Sequence, residues 1–326
     1  DVKAEVSEEG RVRTTEDALR GRFGALAPCR VVIEVGTHSP WVSRLLAELG
    51  HDCVVANPRR VRLIADSQKK NDRIDAETLA RLGRADPALL SPVQHRSEQV
   101  QADLTLVHSR RALVEVRTKL INRTRALVKT FGARLPQCDA RNFPLKAAGD
   151  IPQQIALAAA PLLKMISSLN AEIAALDRAL EELIATRYPQ ARMLQQVPGV
   201  GPLISLTFVL TIEDPWRFRT SRVVGAYLGL VSRQRASGER SPELGITKAG
   251  NVYLRQLLVN GAHYVLGHHG PDSDLRRWGL RKAEGGKNTK KRTVVAVARK
   301  LAVLLHRLWL TGEVYQHLRG EEVMAA

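Results

Sequence analysis

The sequence is short of several things, and each shortage excludes something. It has three cysteines, Cys29, Cys53 and Cys138, far apart and odd in number. They supply neither a CxxC metal clip nor an even disulfide framework, and read as small, partly buried apolar residues in a reducing compartment. No apolar run approaches the ~20 residues that cross a bilayer. The longest candidate, Ile155 to Leu163, is Ala-rich and holds Pro161. A charged and then apolar leader is missing from the start of the chain. These absences are those expected of a cytoplasmic protein. Acidic residues are scarce too: 33 Asp and Glu stand against 50 Lys and Arg, a net charge of +17 in 326 residues. Such an excess asks for a polyanionic partner, most often nucleic acid. It is steepest from Arg281 to Lys300, where eight basic residues face the single acid Glu284.

Hydropathy patterning divides the chain into three regions, 1–95, 96–190 and 191–326. In the first, Val2, Ala4 and Val6 alternate with polar residues before Glu8-Glu9-Gly10, which predicts a hairpin returning through Arg11 to Thr14. A helix from about Thr15 to Leu26 follows. Val31 to Val35 and Cys53 to Ala56 read as short buried strands around a helix from Trp41 to Leu49. That order predicts a mixed α/β layer. In the second region, apolar positions from Leu104 to Val128 recur at helical spacing with arginines between them. Leu162, Leu169, Leu176 and Leu183 repeat every seven residues in another long helix, so the pair reads as an antiparallel coiled-coil connector or stalk. The third region is almost wholly helical, with a Gly/Pro turn at Val197 to Pro202, a polar loop from Ser232 to Gly245 and a last helix from Lys291 to Thr311.

Three acids invite a chemical reading. Glu34 ends an apolar strand, where a carboxylate is costly to bury without a partner or a metal. Asp72 and Asp75, at i and i+3 in a helix start, share one face. Such oxygens suit Mg2+, which is held by a few carboxylates and substrate phosphates, and paired ions clamp a phosphodiester. The alternative is that the aspartates stabilise a helix amino end while Glu34 pairs with an arginine. In the polar loop, Ser237 precedes Gly238 and lies among Arg233, Arg235 and Arg240. Arginines there could bind phosphate and a serine hydroxyl attack it, or the segment is an ordinary basic loop.

Glu34, Asn57-Pro58 and Asn71-Asp72-Arg73-Ile74-Asp75-Ala76 resemble the RuvC-like DEDD domain of a group of insertion-sequence transposases. Val197-Pro198-Gly199-Val200-Gly201, Tyr227-Leu228-Gly229-Leu230, Ser237-Gly238 and Ile246-Thr247-Lys248-Ala249-Gly250-Asn251, with Leu254-Arg255, resemble that family's serine-bearing domain, in the same order. The resemblance implies an RNase H-like nuclease domain over 1–95, a coiled-coil connector over 96–190 and a helical transposase domain over 191–326. It implies that Glu34, Asp72 and Asp75 hold Mg2+ and that Ser237, rather than Ser232 or Ser241, attacks DNA to form a phosphoserine link. It also implies a homo-oligomer, dimer or tetramer, and in some members a structured guide (bridge) RNA. Lys248, Asn251 and Arg255 join Arg233, Arg235 and Arg240 as expected nucleic-acid contacts, and Val197 to Pro202 resembles half of a helix-hairpin-helix. His268-His269 lacks metal-site spacing and reads as loop, and Trp278 and Trp309 read as core. The family's first aspartate has no counterpart, so the expectation is a chain lacking its first strand and first metal ligand. Two rivals stay open: a metal-only, junction-resolving type of nuclease, and an inactive nucleic-acid-binding remnant.

Overall fold

The computed structural model describes residues 5–57, 71–233, 244–284 and 287–318. The fold is mostly helical and divides into two compact units, residues 1–97 and 98–326. The first unit holds α1 (Glu16–Phe23), β1 (Arg30–Glu34), α2 (Ser39–Glu48), β2 (Asp52–Ala56) and α3 (Asp72–Ala85), closed by a 3-10 turn at Pro87–Leu90. β1 and β2 pair in parallel, Arg30 with Asp52 through Glu34 with Ala56. Their β-branched runs are short, as suits strands covered by helices. One layer packs Leu19, Val42, Leu45 and Leu46 against Val31, Ile33 and Cys53. The opposite layer packs Leu79 and Leu90 against Val32, Val54 and Ala56. So the strand–helix–strand expectation holds, with a sheet of two strands among the described residues.

Two expectations are corrected here. Residues 5–13 form no strand, and Val6 and Val12 are exposed. Their alternation lacks a buried face to fill, and without burial a period of two has nothing to enforce it. Cys29 is exposed rather than partly buried, its thiol 3.5 Å from Nδ1 of His51.

The second unit opens with two long helices, α4 (Glu98–Lys129) and α6 (Ala156–Thr186), with the short α5 (Phe143–Ala148) between them. Cross-links fix their antiparallel sense. Asp103 meets Arg187, Arg110 meets Asp177, and Arg117 Nη1 donates to Asn170 Oδ1 at 2.8 Å, so numbers rise in α4 as they fall in α6. Ile166, Leu169, Ile173, Leu180 and Ile184 are the buried stripe. At the α4 end nearest α7 (Pro189–Leu194), the buried carboxylate of Asp103 accepts from Tyr188 Oη at 2.6 Å and from Arg187 Nη1 at 2.8 Å. Burial works against the charged carboxyl, but these hydrogen bonds outweigh it and hold Asp103 below the ordinary aspartate range.

The remaining elements, α8 (Pro202–Ile212), α9 (Ser221–Tyr227), α10 (Val252–Leu266), α11 (Asp274–Ala283) and α12 (Lys287–Thr311), surround the largest core. α8 is buried on all sides, with Ser205, Thr207 and Thr211 each under 2 % exposed. The buried Thr207 hydroxyl is satisfied by the carbonyl of Leu203, 2.6 Å away. His306 of α12 is buried at 0 % exposure. Its Nε2 lies 2.9 Å from the carbonyl of Pro215 and its Nδ1 3.0 Å from the hydroxyl of Ser221. A carbonyl only accepts, so Nε2 carries the proton and Nδ1 takes the serine's.

Candidate functional site

The acids stand at one end of the first unit. Asn71 caps α3, its Oδ1 accepting from the backbone of Arg73 at 3.1 Å, and this orders the first turn that carries Asp72 and Asp75. The Arg30 guanidinium donates to the carbonyl of Gly83 at 3.1 Å, tying the carboxyl end of α3 to the amino end of β1. A Cβ at Gly83 would collide with the Val32 side chain, so only glycine allows this approach. Leu79, one turn earlier, packs with Ala56 at the far end of β2. α3 therefore runs against the strands, and Asp72 and Asp75 lie toward their carboxyl ends, where Glu34 closes β1.

Glu34 is exposed, so its carboxylate bears no cost of burial at the end of the apolar strand. The strand's apolar run ends one residue before the sheet edge meets solvent. Asp75 is half-buried, and Asp72 is exposed and lines a cleft of about 850 Å³ that residues 5–11 share with α3. Among the described residues, no three His, Cys, Asp or Glu side chains are gathered closely enough to hold a metal ion. The donors suit a hard divalent cation in kind, being carboxylate oxygens, but they do not form a complete cage. A cation held by one or two carboxylates and completed by substrate phosphate is the arrangement they fit.

In the second unit, the base of the serine loop is a knot of main chain. Thr247 N–H donates to Val231 (2.9 Å), Lys248 N–H to Gly229 (3.1 Å) and Arg233 N–H to Gly245 (3.0 Å), while Ser232 and Ile246 form a single antiparallel bridge. Gly229 and Gly250 both take φ of +68°, in the left-handed region. A Cβ on Gly229 would come within 2.7 Å of the Lys248 carbonyl carbon, so the two chains touch backbone to backbone. Arg255 completes the knot. Only 8 % exposed, its Nη1 donates to the carbonyls of Leu228 at 3.0 Å and Ala249 at 2.6 Å.

That corrects Arg255 as a nucleic-acid contact: its head is buried against main-chain carbonyls and holds the loop base together. Asn251 likewise caps α10, its Oδ1 accepting from Leu254 N–H at 2.9 Å. Arg233 and Lys248 are exposed on either strand of the knot. Ser237, Arg235 and Arg240 lie in 234–243, outside the described residues. The knot was missed by sequence reasoning, although the two glycines that permit it were quoted in the resemblance. The signal was there: glycines beside Lys248 and Tyr227 in a chain that must cross itself.

Comparison with known proteins bears on both regions. A family model described as transposase, of the IS110 DEDD type, matches residues 3–132, which include all three acids. A second, described as the IS116/IS110/IS902 transposase family, matches residues 191–276, which include the whole knot. The transposase for insertion sequence element IS1111A of Coxiella burnetii is 31% identical over 326 residues, 95% of this chain and 87% of that protein. A probable family 20 transposase of Pseudomonas aeruginosa is 30% identical, covering 86% of this chain and 83% of its own. The transposase for element IS1328 of Yersinia enterocolitica is 29% identical over 260 residues, 78% of this chain and 76% of its own. No helix among the described residues is long and apolar enough to cross a membrane. By these matches the chain belongs to the IS110/IS116/IS902 family of insertion-sequence transposases, enzymes that act on DNA, and its +17 charge agrees with that.

Proposed function

We propose that this transposase cuts and rejoins DNA through Ser237, with Mg2+ held by one or two of the carboxylates Glu34, Asp72 and Asp75 and completed by the phosphate. The observation that carries the reading is the knot under the serine loop, where Gly229, Gly250 and Arg255 fix the two chain ends from which that loop springs. A nucleophile gains most from being held, because pre-paid orientation lowers the barrier more than intrinsic reactivity does. In the step itself, Ser237 Oγ forms a bond to phosphorus, its proton leaves, and a deoxyribose hydroxyl departs from the broken P–O bond. Attack on the phosphoserine by a hydroxyl of another DNA end reverses the exchange and frees the serine.

The bound cation would neutralise charge that builds on the phosphoryl oxygens. In the first unit Asp72 and Asp75 serve as oxygen donors from one helical face, and in the second Arg233, Arg235, Arg240 and Lys248 attract the strand. A structured guide RNA and assembly as a dimer or tetramer belong to the same reading. What supports assembly is the far end of the α4–α6 hairpin, where Leu145 is 82% and Leu157 91% exposed. Incubation with element-end DNA and Mg2+, followed by denaturing electrophoresis, tests the serine role. A protein–DNA adduct should form, and Ser237→Ala should abolish it while leaving DNA binding intact. Undiminished cleavage by that variant would mean the metal-only nuclease instead.

A further inference from the structure

The basic run from Arg281 to Lys300 is not accounted for by the loop or the acids. Three of its cations, Lys282, Arg299 and Lys300, line a cleft of about 660 Å³ between α11 and α12, far along the second unit's sequence from Ser237. Five cations face this cleft: Arg222 from α9, Lys282 from α11, and Arg299, Lys300 and Arg307 from α12. Asp274 is the carboxylate among its lining residues, and Arg307 has a distant partner in Glu313 at 3.6 Å. Trp278 forms the wall. Lys300 Nζ sits 3.9 Å from the Trp278 ring centroid and Lys282 Nζ 6.0 Å. Trp278 is half-buried and lines the cleft, so its reading as core is only partly right. Leu275 and Leu304 extend its apolar surface.

The chemistry of this wall is two-fold. Its cations outnumber its carboxylates, and an aromatic face, not an acid, steadies Lys300. Burial pushes the Lys300 pKa down, as expected of an ammonium partly withdrawn from water. A phosphate arriving there would supply the missing charge. The flat apolar floor beside it would take a base. A duplex keeps its bases stacked inside and would leave that floor unused, whereas an unpaired nucleotide presents both groups at once.

We propose that the α11–α12 cleft is a second nucleic-acid site, which takes an unpaired nucleotide of a single strand, phosphate among Arg222, Arg299 and Lys300 and base against Trp278. The site rests on the chain acting on nucleic acid but not on the serine chemistry. DNA and RNA strands share the required groups.

The full chain is titrated by fluorescence anisotropy, at one salt concentration, with a short labelled DNA strand, an RNA strand of the same sequence and the corresponding DNA duplex. Arg299→Gln/Lys300→Gln should bind at least one of the strands about tenfold or more weakly while duplex affinity falls less than about threefold. The strand that loses more names the source. Equal loss on strand and duplex, or no loss, overturns the proposal while leaving DNA binding as such intact; binding of neither form by the unaltered chain overturns both readings. Trp278→Phe, checked for folding by circular dichroism, supplies the second measurement. The strand should quench an emission component present in the unaltered chain and missing from this variant. Equal quenching by inorganic phosphate would reduce the cleft to an anion site and overturn the nucleotide.

Discussion

Gly229 and Lys248 are held together twice, by the 3.1 Å hydrogen bond from Lys248 N–H to the Gly229 carbonyl and by a backbone approach that leaves no space for a Cβ. Lys248 itself has φ of +56°, so both sides of this contact sit in the left-handed region. Gly229→Ala therefore adds a steric clash to a strained φ. The expected cost is about 2 kcal/mol or more, read as a lowered urea midpoint. Adduct formation with element-end DNA should fall further than stability does, because the displaced backbone is the footing of the serine loop. Equal stability and activity in the alanine variant would show that the knot does not position that loop.

Asp72 and Asp75 lie in the first turn of α3, with Asn71 as the cap. Neither is deeply buried, so Asp72→Asn and Asp75→Asn should leave the urea midpoint within about 0.5–1 kcal/mol of the parent. Cleavage of element-end DNA should drop at least a hundredfold in each, with DNA binding retained. Asn71→Ala is the control: it should cost about 1 kcal/mol of stability through the lost cap while keeping measurable cleavage. Cleavage that survives both aspartate changes would remove the acids from the chemistry.

Much of this architecture could be seen in the bare sequence, and the failures have physical reasons. The two long helices read from Leu104 to Val128 and through the Leu162 to Leu183 repeat correspond to α4 and α6 because a long apolar stripe at helical spacing has few alternative structures. α11 went unread because Arg276, Arg277, Arg281 and Lys282 swamp its apolar positions and Gly279 interrupts them. Ser273 was the usable signal, a cap whose Oγ accepts from Arg276 N–H at 3.2 Å. Gly279 is needed for packing, since a Cβ there would press on Leu266 and lie 2.9 Å from Val297. Glu34, Asp72 and Asp75 were legible as residue types at a spacing. Glu34's exposure was not, because the end of a strand's burial depends on what covers the sheet. Arg255 looked like a surface cation because its two carbonyl partners lie on chain brought to it only by the fold.

Asp103 joins α4 to the turn before α7 through Tyr188 and Arg187, and is 5% exposed. Asp103→Asn keeps the shape but removes the charge that both partners address. Leaving Arg187 and Tyr188 with a weaker acceptor should lower stability by about 2–4 kcal/mol at neutral pH. The carboxyl's depressed pKa sets the sign of its acid dependence. Its stabilisation is complete above the ordinary value of 3.8 and is lost as the pH falls through the lower folded value. Urea titrations at pH 7 and in acid should converge for parent and variant as the pH drops. A gap that stays constant would mean that the amide disrupts packing and that the charge is not what holds the helices.

His306 adds a second loss of stability on acidification, beginning nearer neutrality than that of Asp103. Burial lowers its pKa from 6.5, only partly offset by the Pro215 carbonyl, so the folded protein keeps the ring neutral after the unfolded chain has taken up a proton. Stability is thus full above pH 6.5 and falls as the pH is lowered from there toward the depressed folded value, by up to about 1.4 kcal/mol per pH unit. Ser221 adds to this, because its hydroxyl donates to Nδ1 only while that nitrogen is unprotonated. His306→Gln should be less stable at pH 8 but should lose this part of the acid slope, so its urea midpoint changes less between pH 7 and pH 5 than the parent's. Parallel profiles would assign the slope to other groups, His95 first among them, whose pKa is also lowered by burial and by Arg44 and Arg96.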